Sequence, residues 1–250
     1  MIAIHELRKQ YGPFTAVDGV DLDVQPGEIH GFLGPNGAGK TTSIRMIAGL
    51  LKPTSGRIVV NGHDLAEEPE AAKASLGFIP DRPYIYEKLT AGEFLRFHAG
   101  LYGIDGEGLD QRVREMLDLF ELGRWEHELV ESFSHGMKQR LVMCAAFLHR
   151  PQAVLVDEPM VGLDPRGARL IKSVFRRMSE RGVAILMSTH TLEVAQEMCD
   201  RISIILKGKI IARGTVDDLR KLSGSQDEEL TPVFLKLTGG SALQEIDEIV

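Results

Sequence analysis

Residues 34–42, "GPNGAGKTT", place three glycines beside a lysine and two threonines. They fit the pattern G-x-x-x-x-G-K-[ST], and they follow a short apolar strand and precede a helical pattern, which is the context that this motif requires. Glycines let successive backbone N–H groups surround a phosphate, the lysine reaches the β- and γ-phosphates, and the next hydroxyl is a ligand for Mg²⁺. We therefore predict a nucleotide-phosphate site made of Gly34, Pro35, Asn36, Gly37, Ala38, Gly39, Lys40, Thr41 and Thr42.

Two carboxylates follow the near-continuous apolar run "QAVLVDEP", which we interpret as a buried strand. Ligands of open α/β sheets bind beyond the carboxyl ends of the strands, where Asp157 and Glu158 stand. Asp157 is suited to hold Mg²⁺ directly or through water, and Glu158 is suited to polarise an attacking water as a general base. The alternative is an exposed acidic strand end, and the presence of the phosphate loop argues against it.

A second buried strand, "VAILMSTH", ends at His190. A histidine at this place can donate a hydrogen bond to a γ-phosphate oxygen and respond to its loss. A lone histidine at a strand end is more often a structural residue, but the position next to the strand of Asp157 favours the functional interpretation.

Residues 132–140, "SFSHGMKQR", which we name the signature segment, precede an apolar stripe at Met137, Leu141, Cys144 and Leu148. The stripe predicts a helix. Ser134 is suited to be its N-cap, accepting a backbone N–H of the first turn. It is equally suited to face an anion, since a helix N-terminus has free N–H groups and a positive dipole end. The segment alone leaves both interpretations open.

The elements that must position these residues alternate between strands and helices after an antiparallel start, which predicts an α/β core with a parallel sheet. The pattern is mostly helical from about Ala71 to Arg150, with amphipathic segments at 90–102 and 110–121. Residues 201–214 predict a hairpin with its turn at 207–209, and residues 223–232 form a polar break before a short tail.

Composition limits the class of protein. The chain has 250 residues, 43% of them hydrophobic, and a formal charge of −7, which favours one substantial domain and argues against a nucleic-acid coat. Cys144 and Cys199 lie in apolar helical patterns and are predicted to be buried, reduced thiols. We expect no secretory signal, and no apolar run approaches the roughly 18 residues of a membrane span, so any role at a membrane would be peripheral.

The motifs together resemble the nucleotide-binding domain of ABC transporters. The resemblance rests on the order Tyr11, residues 34–42, the signature segment, "LVDEP", "GLD" and "STH", and it covers about residues 1–220. The stretches "GMKQRL" and "TPVFLKLTGG" are most similar to ABC-2 type exporter ATPases, which are separate from their membrane partners. The implied fold is α/β: a P-loop NTPase core with a mixed, mainly parallel sheet, an N-terminal antiparallel β-subdomain and a helical subdomain. The implied domain spans 1–222, with the helical subdomain at about 82–150 and a tail at 223–250.

The resemblance also implies roles. Tyr11 would stack on adenine, Asp164 would be the acid of the D-loop (residues 160–164, "MVGLD"), and Glu158 and His190 would be catalytic. Ser134 and Gly136 would contact the γ-phosphate of ATP held by a second copy. The implied cofactors are ATP and Mg²⁺, and the implied partners are a transmembrane permease subunit and a second nucleotide-binding domain, with no nucleic acid. The protein would power transport, in the direction of export, from the cytoplasmic face of the plasma membrane.

Two other classes stay open: a soluble ABC ATPase acting on ribosomes or nucleic acid, and a nucleotide-gated module without turnover. The chain also departs from the family pattern. Asp81 stands where the Q-loop glutamine is usual and is predicted to reach Mg²⁺ through water, while His135 and Met137 replace a glycine and a glutamine. The aromatic segment at Tyr84 and Tyr86 is predicted to receive the membrane partner, or alternatively to pack within its own subdomain.

Overall fold

A computed structural model describes residues 1–223 and 234–235 of the chain. The strands are β1 (Ile2–Tyr11), β2 (Phe14–Val24), β3 (Ile29–Leu33), β4 (Ser55–Val60), β5 (His63–Asp64), β6 (Leu76–Ile79), β7 (Ala153–Asp157), β8 (Ala184–Thr189), β9 (Arg201–Leu206) and β10 (Lys209–Gly214). The helices are α1 (Lys40–Ile47), α2 (Pro69–Ala74), α3 (Ala91–Leu101), α4 (Leu109–Leu119), α5 (His135–Leu148), α6 (Pro165–Glu180), α7 (Leu192–Met198) and α8 (Val216–Ser223). Apart from Ser223 and residues 234–235, the predicted tail lies outside the described residues.

The predicted antiparallel start of the chain is confirmed. Strands in the order β2-β1-β4-β5 form a sheet, and β1 and β2 are joined by the turn after Tyr11. Buried and exposed residues alternate along β2 from Val20 to Val24, as expected for a sheet with one face toward the core, whereas Ile2–Ile4 of β1 are buried in succession.

The second sheet has the order β10-β9-β3-β8-β7-β6. Strands β3, β6, β7, β8 and β9 run parallel, and β10 returns antiparallel to β9, so the predicted α/β class with a mixed, mainly parallel sheet is confirmed. Strands β3, β7 and β8 are buried along their whole length because one face of the sheet packs against helices that include α5 and α6, and the other face packs against α1 and the first sheet. Their carboxyl ends meet at one edge, which brings together the segments that follow β3, β7 and β8.

Strand β6 corrects the prediction of a mostly helical pattern from about Ala71. Leu76–Ile79 pairs in parallel with β7, in the register Leu76↔Ala153 to Ile79↔Val156. Four residues are too few to show a strand period, and the pairing partner lies far along the chain. The hairpin turn is likewise shorter than predicted, since Lys209 already belongs to β10.

The predicted amphipathic helices are confirmed as α3 and α4, and α5 packs against both. Helix α3 begins with a capping box in which Thr90 Oγ1 accepts from Glu93 N (3.2 Å) and the Glu93 carboxylate accepts from Thr90 N (2.8 Å). Cys144 and Cys199 are free and buried, as predicted, and burial raises the pKa of the Cys199 thiol to about 12. Across the described residues, no helix combines the length and the apolar character needed to cross a bilayer.

Candidate active site

The loop between β3 and α1 is held tightly by its neighbours. A Cβ on Gly34 would lie 2.4 Å from the Ile205 carbonyl oxygen, and one on Gly39 would lie 2.7 Å from the Ala16 carbonyl oxygen. Gly39 also has a φ of +110°, a conformation that favours glycine. The loop therefore has its shape because β2 and β9 approach its backbone too closely for any side chain at these two positions.

Lys40 points its ammonium group back into this loop. Its Nζ donates to the carbonyl oxygens of Gly34 (2.6 Å) and Pro35 (3.2 Å), and the side chain is only 6% exposed. Burial lowers the pKa of the Lys40 ammonium, and the carboxylates of Glu158 and Asp157 act in the opposite direction. No side chain caps the N-terminus of α1, so its first N–H groups and the ammonium form a cationic cradle that fits a phosphate.

Asp157 ends β7 beside this cradle. Asp157 is 2% exposed, and its Oδ1 accepts a hydrogen bond from the Oγ of Ser188, which pairs with Asp157 on β8. A carboxylate at this place is a candidate ligand for a cation. Ser188 is a functional residue that sequence reasoning missed, and its one signal is a serine within the apolar strand "AILMST".

Glu158 and His190 form a pair across the ends of β7 and β8. His190 Nδ1 lies 2.8 Å from Glu158 Oε1, and since an ionised carboxylate accepts but cannot donate, the Nδ1 proton is on histidine. Glu158 has a φ of +53° and donates its N–H to the Ser188 carbonyl oxygen (3.2 Å). Strained backbone of this kind recurs at functional sites because the surrounding structure must hold it. The pair leaves Glu158 Oε2 and His190 Nε2 without protein partners over the described residues.

The signature segment lies at the start of α5. Ser134 is the N-cap: its Oγ accepts a hydrogen bond from Met137 N (3.3 Å), which confirms the capping interpretation. Gly136 lies against the D-loop, since a Cβ there would be 3.2 Å from the Gly162 carbonyl oxygen. Ser134 and His135 are both exposed. Asp164 ends the D-loop as the N-cap of α6, where its Oδ1 accepts from Gly167 N (2.8 Å).

Comparison with known proteins decides the family. A family model described as "ABC transporter" matches residues 17–161, more than half of the chain. The chain belongs to the ABC transporter family. It is 36% identical over 248 residues to the ABC-type transporter ATP-binding protein EcsA of Bacillus subtilis, covering 98% of this chain and 99% of EcsA.

Other relatives support the same membership. The chain is 39% identical over 234 residues to the probable multidrug ABC transporter ATP-binding protein YbhF of Escherichia coli; the match covers 94% of this chain but 40% of the length of YbhF. A solved ATP-binding subunit of an ABC transporter superposes with a TM-score of 0.89 and 34% identity, covering 95% of this chain and 99% of that one. The dimeric structure of MJ0796, a bacterial ABC transporter cassette, superposes with a TM-score of 0.80 and 25% identity over 86% of this chain and 99% of the cassette.

Tyr11 and Asp81 are the remaining predicted residues of the ABC site. Tyr11 is half exposed at the tip of the β1–β2 hairpin, with Lys9 Nζ 5.1 Å from its ring centroid. The same hairpin contacts the phosphate loop through Ala16. Adenine stacking on Tyr11 stays a prediction. Asp81 follows β6 at the sheet edge that carries Asp157, and its contact with Mg²⁺ also stays a prediction.

A magnesium ion would depend on the nucleotide for most of its ligands. In the part of the chain that the structure describes, no group of three or more His, Cys, Asp or Glu side chains could hold a metal ion. Thr41 and Asp157 nevertheless supply the oxygen donors that Mg²⁺ prefers, and Mg²⁺ commonly takes one or two protein ligands together with phosphates and waters. The residues present therefore fit Mg²⁺ bound together with a nucleotide.

Proposed function

We propose that this chain is the ATP-binding and hydrolysing subunit of an ABC transporter and powers transport, in the direction of export, through separate membrane subunits. The observation that carries the proposal is the Glu158–His190 pair, which lies at the same sheet edge as the Lys40 cradle. A binding module without turnover has no use for a carboxylate held in this way. The curated relatives named above include a probable multidrug transporter protein, which supports the exporter class.

The residues divide the chemistry of phosphoryl transfer. The phosphate loop and Lys40 hold the β- and γ-phosphates and offset their charge. Glu158 Oε2 orients the attacking water and accepts its proton, while the bond from His190 keeps Oε1 in place. His190 Nε2 is the ring nitrogen left for a contact with a γ-phosphate oxygen. Thr41 and Asp157 would hold Mg²⁺, which would help to neutralise the phosphate charge.

The site is completed by a second copy of the chain. Ser134 is exposed at the N-terminus of α5, and the first turn of this helix has no acidic residue. We propose that two copies close head to tail, so that each Ser134 caps the γ-phosphate on the other copy's loop. Closure moves the membrane subunits and hydrolysis reopens the dimer, at the cytoplasmic face of the membrane.

The membrane subunits would dock on the aromatic segment after Asp81. Tyr84 is 75% exposed and Tyr86 is 59% exposed, and the Tyr86 ring meets Phe97 edge-on at 5.3 Å. Ile85 between them packs against the core. The exposed rings favour a docking surface over packing within the subdomain.

The decisive experiment compares Glu158→Gln with the matched variant Glu193→Gln, an exposed glutamate of α7. Phosphate release should fall by about 10²-fold or more in Glu158→Gln, because the general base is lost, and should be unchanged in Glu193→Gln. Size-exclusion chromatography with Mg-ATP should detect a stable dimer of Glu158→Gln. Parental turnover in Glu158→Gln would refute the assignment of the base, and a strictly monomeric Glu158→Gln with Mg-ATP and membrane partner would refute the shared site.

A further inference from the structure

His135 makes a contact that no ligand role requires. It is the first residue of α5, and its ring lies directly against Gly162 of the D-loop. A Cβ on Gly162 would be 2.2 Å from His135 Cδ2 and 2.8 Å from Nε2, so the ring occupies the space that a side chain there would need. Gly162 also has a φ of +77°. The start of the signature helix and the D-loop thus meet through a ring resting on a glycine.

The start of α5 is itself held in place. Arg140, one turn along the helix, donates its Nε to the Gly136 carbonyl oxygen (3.4 Å) and its Nη1 to the Phe120 carbonyl oxygen (3.0 Å). Ser134 caps the same turn. Because of these hydrogen bonds, we expect a movement of Ser134 to displace the first turn of α5 as a unit.

On the other side, the D-loop is linked to the catalytic base through two tight turns. Val161 N donates to the Glu158 carbonyl oxygen (3.3 Å), and Leu163 N donates to the Met160 carbonyl oxygen (3.4 Å). Glu158 already has a strained positive φ, so its side-chain direction is sensitive to the path of the residues that follow. Gly162 lies inside these turns, and pressure on it is transmitted toward Glu158.

We propose that His135 is a positioning residue that couples the two ATP sites of the dimer. The proposal rests on the proposed function, because Ser134 must contact the partner's ATP. When it does, the braced start of α5 holds the His135 ring against Gly162, and the D-loop turns set Glu158 for the ATP of its own chain. ATP in one site thereby prepares the base in the other.

The ring acts by packing. Its Cδ2 edge faces Gly162, so the contact is made by a ring carbon rather than by a polar hydrogen bond. A ring of similar width without nitrogen atoms should therefore pack against Gly162 and couple the two sites equally well. This separates the proposal from a role in which the imidazole binds phosphate, since a phenyl ring cannot donate to an anion.

The test is a double-mutant cycle with His135→Ala, Gly162→Ala and the double variant, assayed for ATP hydrolysis against ATP concentration. For the parent we expect a Hill coefficient above 1, bounded by the two sites of the dimer. His135→Ala should lower it to 1 with a smaller change in kcat. Gly162→Ala should also lower the Hill coefficient to 1. In the His135→Ala background it should have little further effect on the Hill coefficient. The strain of alanine at a positive φ is present in both backgrounds, so it does not affect this comparison.

His135→Phe should keep the parental Hill coefficient. The proposal is overturned by additive effects in the cycle, by an unchanged Hill coefficient in His135→Ala, by a phenylalanine variant that behaves like alanine, or by a parent without cooperativity. ATP-driven dimerisation of the Glu158→Gln variant is measured alongside. Its absence means that the proposed function itself has failed, whereas its presence together with an additive cycle means that only the His135 coupling has failed.

Discussion

The phosphate-loop half of the site and the signature half are built on opposite principles. Lys40 and Asp157 are almost fully buried, and each is hydrogen-bonded to its own chain. Ser134 and His135 are exposed, and Ser134 uses its hydroxyl to cap its own helix. Buried charges must be satisfied where they lie, while a surface helix end can stay stable and still accept a ligand. The first half is therefore complete within one chain, and the second is arranged for a site on another molecule.

The largest effect should come from the buried half. Lys40→Met removes the cation of the cradle, and ATP hydrolysis should fall by about 10²-fold or more because the phosphate charge is no longer offset. Phosphate release and nucleotide binding measure this. Lys52→Met, at an exposed lysine, serves as the control and should keep parental activity. Unchanged ATP binding in Lys40→Met would contradict the description of the cradle.

Ser134 allows capping to be separated from the contact with a second copy. Ser134→Ala should lower the free energy of unfolding by about 1 kcal/mol through loss of the N-cap. Ser134→Asp should keep that stability, because aspartate caps as well as serine and favours a helix N-terminus. Both variants should lose ATP-driven dimerisation, and the aspartate more completely, since its charge repels the γ-phosphate. Chemical denaturation measures the stability, and size-exclusion chromatography measures the dimerisation. A Ser134→Asp variant that dimerises normally would contradict a role of Ser134 in a site on another molecule.

The opposite end of α5 is buried and should make the stability of the signature half depend on pH. His149 stacks on Tyr102 with ring centroids 3.9 Å apart, and its Nε2 donates to the Leu76 carbonyl oxygen (3.1 Å). Burial is the main cause that lowers the pKa of His149 from 6.5 to about 4. Since the unfolded chain takes up this proton first as pH falls, stability is complete above about pH 6.5 and is lost toward pH 4.

The measurement compares the parent with His149→Gln by chemical denaturation at neutral pH and through that window. The parent should lose about 1 kcal/mol more than the variant on acidification, after allowance for the partial exposure of the ring. An equal loss of the free energy of unfolding in the two proteins would mean that protonation of His149 does not weaken its contact with the Leu76 carbonyl oxygen.

The smallest effect on the site should come from the docking surface. Replacing Tyr84 and Tyr86 with serine should leave basal ATP hydrolysis unchanged, because neither ring contacts the phosphate loop or the Glu158–His190 pair among the described contacts. Transport in reconstituted vesicles should be lost. Full transport by the double variant would refute the docking surface, and a matching loss of basal hydrolysis would place these rings in the site.

Local features were predictable because the residues that cause them are adjacent. The glycine spacing of the phosphate loop, the apolar run of β7 and the stripe of α5 all fall within a few residues of their effect. Strand β6 was missed because its four residues are too few to show a periodic pattern. They form a strand because they pair with β7, which lies far along the chain. Ser188 was missed because its role appears only when β8 lies beside Asp157.

The sequence by itself determined the types of residue at the site, the strands and helices that carry them, and the family that shares their order. Tertiary structure alone decided which atoms meet: His190 Nδ1 on Glu158 Oε1 across 32 residues, and the His135 ring on Gly162. The reason is physical. Periodicity and turn chemistry act over a few neighbouring residues, whereas contacts between distant side chains depend on strand register and packing that form only when the whole sheet is assembled.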